Sequence, residues 1–440
     1  MRKLLFISAV LILSLVSCKK ENDTVFDKSP DERLNEKLDA YQAQLAGAQN
    51  GWKGLLQTDS GRGSLHSFYF KFNNENRVWM LSDFDSLSAV TLKESSYRLK
   101  ALQQPSLVFD TYSYLHVLAD PDPSVNGGTL GAGLLSDFEF AFDESNSPDT
   151  IRLIGRVNGS KMYLVKATAA EEAAYSAGQL AAGLSINKIL TYFKRLTIGT
   201  QLYDVKIDPV RRQFIFSWLD GSGNLQTFTT SYYFIAGGIV FTTPLTNGSQ
   251  TISGFSNITW TPATETINLS ANGTAATITG IVVPLKVDTG APRRWWQYAI
   301  NNENILGDHF WYSEKGFHVN GVDDAFGIQS ITRGTSTYLF LVYYPEFDPG
   351  NDLFAPIFLN AAGTAIELAY GTAPVPTFTN DGRVIFTQLG NYGTYPSGGA
   401  PGQSRSQLYN AGGYYLVQTG PTTYDMVSAS TGKAWITWDF

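Results

Sequence analysis

Hydrophobic and polar residues alternate with a period of two along most of this chain, a pattern typical of β-strands. Residues 68–72 form one such run, residues 73–76 are a polar turn, and residues 78–81 form a second run. This order predicts a β-hairpin. About eight short antiparallel strands fit between Trp52 and Lys166, which is enough for a small barrel or sandwich.

A helix is predicted ahead of these strands. Ser29 can cap its first turn, and Pro30 suits its first position. Apolar residues then recur every three to four positions from Leu34 onward, which gives the helix one apolar stripe. We therefore assign residues 29–168 to a helix followed by a first β domain.

The next part of the chain repeats the pattern of the first. An alanine-rich helical connector is predicted over 169–195, and residues 196–285 again have the pattern of a β-meander. The hairpin signal Asn272-Gly273 occupies the place that Asn158-Gly159 holds in the first domain. Residues 286–440 form a C-terminal β-rich domain. The sequence thus predicts a mainly β protein of tandem antiparallel β-meander units, barrel-like or sandwich-like, with an N-terminal helix and a helical connector.

The first eighteen residues have the features of an export signal. Two basic residues precede an apolar run that is too short to span a bilayer, which takes about 20 residues. The run ends in Leu15-Val16-Ser17-Cys18, which looks like a bacterial lipobox. We therefore predict a signal peptide over 1–17, lipidation of Cys18, a tether over 18–28, and membrane attachment through the N-terminal lipid.

Composition narrows the classes of partner and cofactor. The net charge of −7 and the even mixture of charges argue against nucleic acid, which requires a basic patch. A single cysteine leaves no internal disulfide. No nucleophile elbow or phosphate-binding loop is present, and the four histidines lack a zinc-binding spacing. We therefore expect no cofactor and no metal site.

Pairs of acidic residues are the better candidates for chemistry. Alternation places Asp137 and Glu139 on one strand face and the neighbouring phenylalanines on the other, and two such acids could serve glycoside hydrolysis. A solvated strand face explains them more simply. The loops at 120–126 and 348–352 offer oxygen ligands for calcium, but neither matches an EF-hand. Catalytic residues therefore stay unassigned.

The densest mixture of polar and aromatic residues lies between positions 295 and 324. Aromatic faces beside Asn and Asp side chains are what a glycan-binding surface would use. The alternative is a buried turn held by aromatic residues. The predicted ligand-binding residues are Trp295, Trp296, Trp311, His318, Asn320 and Asp323.

Several strings of residues, spread over nearly the whole mature chain, resemble a family of Bacteroidetes lipoproteins known as domain of unknown function 4302. The strings that carry the resemblance include Gly51-Trp52-Lys53-Gly54, residues 101–107, residues 137–140, Arg293-Arg294-Trp295, residues 317–325 and residues 381–386.

The resemblance implies a Gram-negative, lipid-anchored protein encoded near outer-membrane nutrient-uptake proteins, and it brings no established activity. We therefore expect an outer-membrane lipoprotein, exposed at the cell surface, that is an accessory binding or scaffolding component of an uptake complex. Its ligand would be a glycan or a peptide. The alternative is an anchored hydrolase, either a glycoside hydrolase or a peptidase, and we favour binding over catalysis.

Overall fold

The computed structural model describes residues 28–58, 64–248 and 250–440. The predicted signal peptide, the predicted lipidation site Cys18 and all but the last residue of the predicted tether lie outside the described residues. The helices of the described part are α1 Pro30–Ala46, α2 Tyr114–Val117, α3 Pro123–Asn126, α4 Ala169–Ser176, α5 Gln179–Leu184, α6 Ala291–Asn301 and α7 Gly399–Leu408, with short 3-10 turns at Ser185–Asn187, Pro262–Thr264 and Ile328–Ser330.

Helix α1 begins where the capping residues predict. The Ser29 hydroxyl accepts a hydrogen bond from the Glu32 amide at 3.2 Å, and the Glu32 carboxylate accepts one from the Ser29 amide at 2.8 Å. This reciprocal pair satisfies two amides that the first helical turn leaves without partners. Tyr41, on the apolar stripe, stacks on Phe142 with ring centroids 3.7 Å apart. The stripe therefore packs α1 on the first β domain.

The first β domain is a closed barrel of eight strands. Its first and last strands pair, with Trp52 opposite Lys166, and every second residue of the first strand is buried, as a barrel interior requires. The strands are β1 Trp52–Gln57, β2 Leu65–Phe72, β3 Arg77–Ser82, β4 Lys93–Leu102, β5 Gln104–Phe109, β6 Glu139–Phe142, β7 Thr150–Gly155 and β8 Lys161–Lys166.

A second closed barrel of eight strands follows, which confirms the predicted tandem units and identifies them as barrels. Its closing pair is β9 with β16, with Thr197 opposite Thr277. The helical connector is confirmed as α4, α5 and the turn Ser185–Asn187. The strands are β9 Phe193–Ile198, β10 Gln201–Asp208, β11 Gln213–Leu219, β12 Leu225–Ile235, β13 Gly238–Asn247, β14 Gln250–Thr261, β15 Thr266–Ala271 and β16 Thr274–Ile281.

The C-terminal region is a sheet of eleven strands in which an additional pairing of β20 with β21 closes a ring of eight. Around the ring the order is β20, β17, β27, β26, β25, β24, β23 and β21. The strands are β17 Trp311–Ser313, β18 His318–Val319, β19 Thr332–Arg333, β20 Ser336–Asp348, β21 Asn351–Leu359, β22 Ile366–Leu368, β23 Gly371–Phe378, β24 Arg383–Tyr392, β25 Tyr414–Gly420, β26 Thr423–Ser428 and β27 Ala434–Asp439.

Helix α6 contributes buried residues to the hydrophobic core of this ring of strands. Ala291, Trp295 and Ala299 are buried at every fourth position, so they lie on one face of the helix. That face packs against β20 and β25. The indole of Trp295 lies 6.0 Å from that of Trp311 and 4.7 Å from the Tyr343 ring. An aromatic cluster at the centre of the ring therefore holds its strands in place.

The described residues divide into two compact units. Residues 28–58, 68–80 and 92–168 form the first unit, and residues 64–67, 81–91, 169–248 and 250–440 form the second. Among the described residues, no helix combines the length and the apolar character that crossing a membrane demands.

Candidate functional site

A cavity of about 250 Å³ opens beside strands β17, β18 and β27 of the C-terminal ring. We call it the histidine pocket, because His318 on β18 pairs with Trp435 on β27 at its wall. Both belong to the second compact unit. The lining residues are Ser313, Glu314, Lys315, Gly316, His318, Asp323, Asp324, Trp435, Thr437 and Asp439.

A tight turn brings His318 and Asp323 together. Asn320 and Gly321 at its tip adopt left-handed backbone angles, with φ of 52° and 85°, which Asn and Gly tolerate best. Val319 and Val322 exchange backbone hydrogen bonds across the turn. As a result, Nδ1 of His318 lies 2.5 Å from Oδ1 of Asp323. Local sequence therefore suffices to build this pair.

The His318 ring is held on both its face and its edge. It stacks on Trp435 with centroids 3.7 Å apart and an angle of 19° between the rings. Its Nε2 atom is buried and has no hydrogen-bond partner among the residues that the structure describes. A buried nitrogen without a partner loses the free energy of its hydration, unless a ligand or water supplies a bond. The ring thus carries one buried polar atom that has no protein partner among the described residues.

The pocket is acidic because its carboxylates outnumber its cations. Asp324 is used by the scaffold, since it accepts hydrogen bonds from the Ile328 and Gln329 amides at 2.7 and 3.0 Å. Glu314 and Asp439 form no ion pair with any described residue. Burial raises the pKa of Asp439, and the charges of Glu314 and Asp425 raise it further. A cation placed between these carboxylates would relieve that repulsion.

Asp425, which is not among the lining residues, differs from these two because both of its carboxylate oxygens accept hydrogen bonds. It accepts a hydrogen bond from the Tyr192 hydroxyl at 2.6 Å and another from the Thr437 hydroxyl at 2.7 Å. Burial and the Asp425 charge together raise the pKa of Tyr192 far above its usual range, so this hydroxyl stays protonated and keeps donating. Asp425 is therefore held in place by two hydroxyl donors, one of which, Thr437, lines the pocket.

The pocket has two chemical capacities. Uncompensated carboxylates beside the Trp435 indole suit a ligand that carries a cationic amine. A histidine held through Nδ1 by a carboxylate is an arrangement that general bases use, and the hydroxyl residues Ser313 and Thr437 line the same cavity.

Only His318 and Asp323 of the predicted ligand-binding residues line the pocket. Trp295 and Trp311 are wholly buried in the ring core, so the interpretation of them as ligand-contacting residues is corrected. Trp296 donates its indole N–H to Asp352 at 2.8 Å. Asn320 shapes the turn, and its amide donates to the Lys433 carbonyl at 2.9 Å.

The acid pair considered for hydrolysis is not a pair in the structure. Asp137 is buried, and it accepts hydrogen bonds from the amides of Val157, Asn158 and Ser160 and from the Ser160 hydroxyl. It therefore closes the β7–β8 hairpin. Phe138 is 39% exposed and stacks on His116, so the predicted alternation of acids and phenylalanines on opposite faces is wrong.

The two loops considered for calcium use their acids internally. Asp120 accepts hydrogen bonds from the Tyr112 hydroxyl and the Asp122 amide. Asp352 accepts from Tyr343, Trp296 and the Glu346 amide. Across residues 28–58, 64–248 and 250–440, no three His, Cys, Asp or Glu side chains are grouped to hold a metal ion.

The pocket residues that sequence reasoning missed include Glu314, Trp435 and Asp439, and also the hydroxyl residues Ser313 and Thr437. Trp435 and Asp439 lie on the last strand, and long-range pairing of β27 with β17 and β18 brings them to the turn. Alternation along β27 could have indicated that Trp435, Thr437 and Asp439 share one face. It could not have indicated which strand lies beside that face.

Residues 22–262 match the protein-family model described as Domain of unknown function (DUF4302). A comparison with curated protein sequences finds no match.

Among solved structures, a DNA polymerase III subunit beta sliding clamp from Bartonella birtlesii is 10% identical, with 56% of this chain and 66% of that chain covered and a TM-score of 0.12. The DNA polymerase III beta subunit of Thermotoga maritima is 6% identical, with 92% and 97% covered and a TM-score of 0.13. Transferrin binding protein B of Neisseria meningitidis is 10% identical, with 88% and 65% covered and a TM-score of 0.13. TM-scores this low do not indicate a shared fold.

Proposed function

We propose that this chain, which belongs to the family Domain of unknown function (DUF4302), is a binding protein that captures ligands bearing a cationic amine in the histidine pocket. In this proposal it is a lipoprotein of the outer membrane, exposed at the cell surface, and an accessory or scaffolding component of a nutrient-uptake system. The observation that carries the binding role is the pair of carboxylates, Glu314 and Asp439, that no described cation neutralises.

The pocket favours an amine over a bare metal ion. Its acids are not grouped closely enough to surround a metal ion, as the described residues show. An ammonium group needs only one or two carboxylates and can use an aromatic face as well. Amino sugars and basic peptides both carry an ammonium group.

The test is thermal shift and calorimetric titration of the chain from residue 19 onward, which contains every described residue. Glucosamine and a Gly-Lys-Gly peptide are the probes, and their counterparts acetylated at every amine lack the positive charge. We expect the charged probes to bind at least tenfold more tightly than the acetylated ones, and which of the two binds more tightly distinguishes glycan from peptide. Equal binding of charged and acetylated probes, or no binding of any, would contradict the proposal.

Variants locate the binding. Glu314→Gln combined with Asp439→Asn should abolish the preference for charged probes. Glu303→Gln, at an exposed acid outside the pocket, is the matched control and should leave binding unchanged.

The anchor is tested separately. We expect Cys18→Ser to move the protein from the membrane fraction to the soluble fraction, and external protease to digest the wild-type protein in intact cells. Retention of the variant on membranes would reject the lipobox interpretation, and protection from protease would reject surface exposure.

A second candidate function is hydrolysis, with His318 as the general base. It is favoured by the His318–Asp323 pair and by the two hydroxyl residues, Ser313 and Thr437, that line the same cavity. Incubation with polysaccharides and peptides should then release products, and His318→Asn should stop the release. Stable binding without products would leave the binding role as the function.

A further inference from the structure

A second cavity of about 490 Å³ lies in the second compact unit, and its lining shares no residue with that of the histidine pocket. One wall is the outer part of the second barrel at β9–β11, the other wall is β25, and the segment after β16 completes it. We call it the lysine groove, because Lys194, Lys206 and Lys286 all line it.

The acids of this groove are neutralised by the scaffold. Asp204 is bonded to the Arg195 guanidinium at 2.6 Å and accepts the Leu285 amide. Asp288 forms an ion pair with Arg294. Both carboxylates therefore contribute little negative charge to the space between the walls.

The three lysines have no such compensation. Among the described residues none of them forms an ion pair. The Lys194 ammonium donates to the Thr191 carbonyl at 2.6 Å, and that of Lys286 donates to the Gly223 carbonyl at 3.2 Å. Lys206 lies over the Tyr192 ring, 5.8 Å from its centroid. These contacts are with neutral groups, so the net positive charge remains.

Lys194 is the most constrained of the three. Burial, together with the charge of Lys206, lowers the pKa of its ammonium to about 8. Apolar surface lies in the same groove on Ile215, Tyr415 and Val417. A site of this composition combines ammonium groups that have no counterion with an apolar surface.

We propose that the lysine groove binds a small organic carboxylate with an apolar body, whose carboxylate contacts Lys194 and Lys206 and whose body packs on Ile215, Tyr415 and Val417. Charge complementarity selects this occupant, because an uncharged apolar molecule would leave the ammonium groups without a counterion. The proposal is independent of the function assigned to the histidine pocket.

The probe is decanoate, titrated into the chain from residue 19 onward at neutral pH, with decan-1-ol as the uncharged match. We expect decanoate to bind at least tenfold more tightly than the alcohol. In the series hexanoate, octanoate and decanoate, affinity should rise about fourfold for each methylene group, the gain expected from burying it. Equal binding of acid and alcohol, or no binding of decanoate, would overturn the proposal.

Variants test the assigned residues. Lys206 is exposed, so Lys206→Gln should fold normally and weaken decanoate binding about tenfold, whereas Lys206→Arg should retain it. Lys194→Met should weaken binding by at least as much. Lys188→Gln, at an exposed lysine outside the groove, is the matched control. Undiminished decanoate binding in the Lys206→Gln and Lys194→Met proteins would overturn the assignment.

Discussion

The histidine pocket and the lysine groove are neighbouring cavities whose lining residues carry opposite net charges. Tyr192 lines the groove, and its ring contacts Trp435 of the pocket at 5.5 Å. The groove has two acids among its lining residues, yet both are held by arginines of the scaffold. The pocket has one lysine, and it lies 3.9 Å from an aspartate that already bonds His318. The character of each cavity therefore follows from the charges that the scaffold leaves uncompensated.

A third charged cluster in the same compact unit shows the opposite arrangement. Asp83 and Arg212 are buried together, with two hydrogen bonds of 3.0 and 3.1 Å between their side chains. Here each charge has its partner, and neither residue lines the histidine pocket or the lysine groove. Such a pair orders the chain locally but offers nothing to a ligand. The contrast separates charges that hold the fold from charges that are available for binding.

The largest expected effect concerns the hydrophobic core of the C-terminal region, whose strands line part of both cavities. Trp311→Ala should lower the free energy of unfolding by about 3–5 kcal/mol, because it empties the centre of the ring. Trp435→Ala, which removes a partly exposed indole, should lower the free energy of unfolding by about 1 kcal/mol, a typical value for a point substitution. Urea unfolding measures both. Comparable losses would contradict the division between core and pocket tryptophans.

The next effect concerns the buried charged cluster. His66 lies 3.9 Å from Asp83, and burial, together with the Arg212 charge, holds its pKa well below the usual range. The unfolded chain binds a proton there near pH 6.5, so the folded state loses up to about 1.4 kcal/mol for each pH unit below that value. His66→Gln should reduce the slope of stability against pH between 6.5 and 5. An unchanged slope would contradict the burial of a neutral histidine.

A smaller effect tests the pocket in the absence of ligand. Because the pKa of Asp439 is raised, its contribution to stability is lost as pH rises through the pKa of the folded state. Asp439→Asn should therefore raise the melting temperature slightly at pH 7 while it weakens binding of glucosamine or Gly-Lys-Gly. If the variant is less stable than the wild type at this pH, the carboxylate is compensated and the pocket is not cation-selective.

The smallest effect concerns the rim of the groove. Lys286 is exposed and bonds only a backbone carbonyl, so Lys286→Gln should weaken decanoate binding about twofold, as expected of a solvated charge. Calorimetric titration at low and high salt measures it. A loss as large as that of Lys206→Gln would place the carboxylate nearer to Lys286 than proposed.

Local patterns predicted the elements of this fold better than their assembly. The capping residues Ser29 and Glu32 located the first helix, and the repeated Asn-Gly turns indicated the tandem units. Helix α7 lies in a stretch with no predicted helix, because Gly399, Pro401 and Gly402 disfavour one. Burial of Leu408 and Ser404 against the rest of the unit outweighs that local preference.

For the candidate sites too, contacts within one turn could be predicted from the sequence and contacts between distant strands could not. His318 and Asp323 are five residues apart, so the turn between them could be predicted from the sequence. The tryptophans could not be assigned, because an aromatic residue near a polar turn fits either a core or a surface. Trp435 lies beside His318 because their strands pair, although more than a hundred residues separate them in the sequence. The lysines of the groove likewise come from separate segments, namely β9, β10 and the stretch after β16.

The most direct test of two cavities with opposite charges is a crossed titration. Glucosamine and decanoate are each titrated into the wild type, into Glu314→Gln/Asp439→Asn and into Lys194→Met/Lys206→Gln. We predict that the first variant loses glucosamine binding and keeps decanoate binding, and that the second shows the reverse. Loss of both probes in either variant, or loss of a probe only when the opposite cavity is changed, would contradict the account.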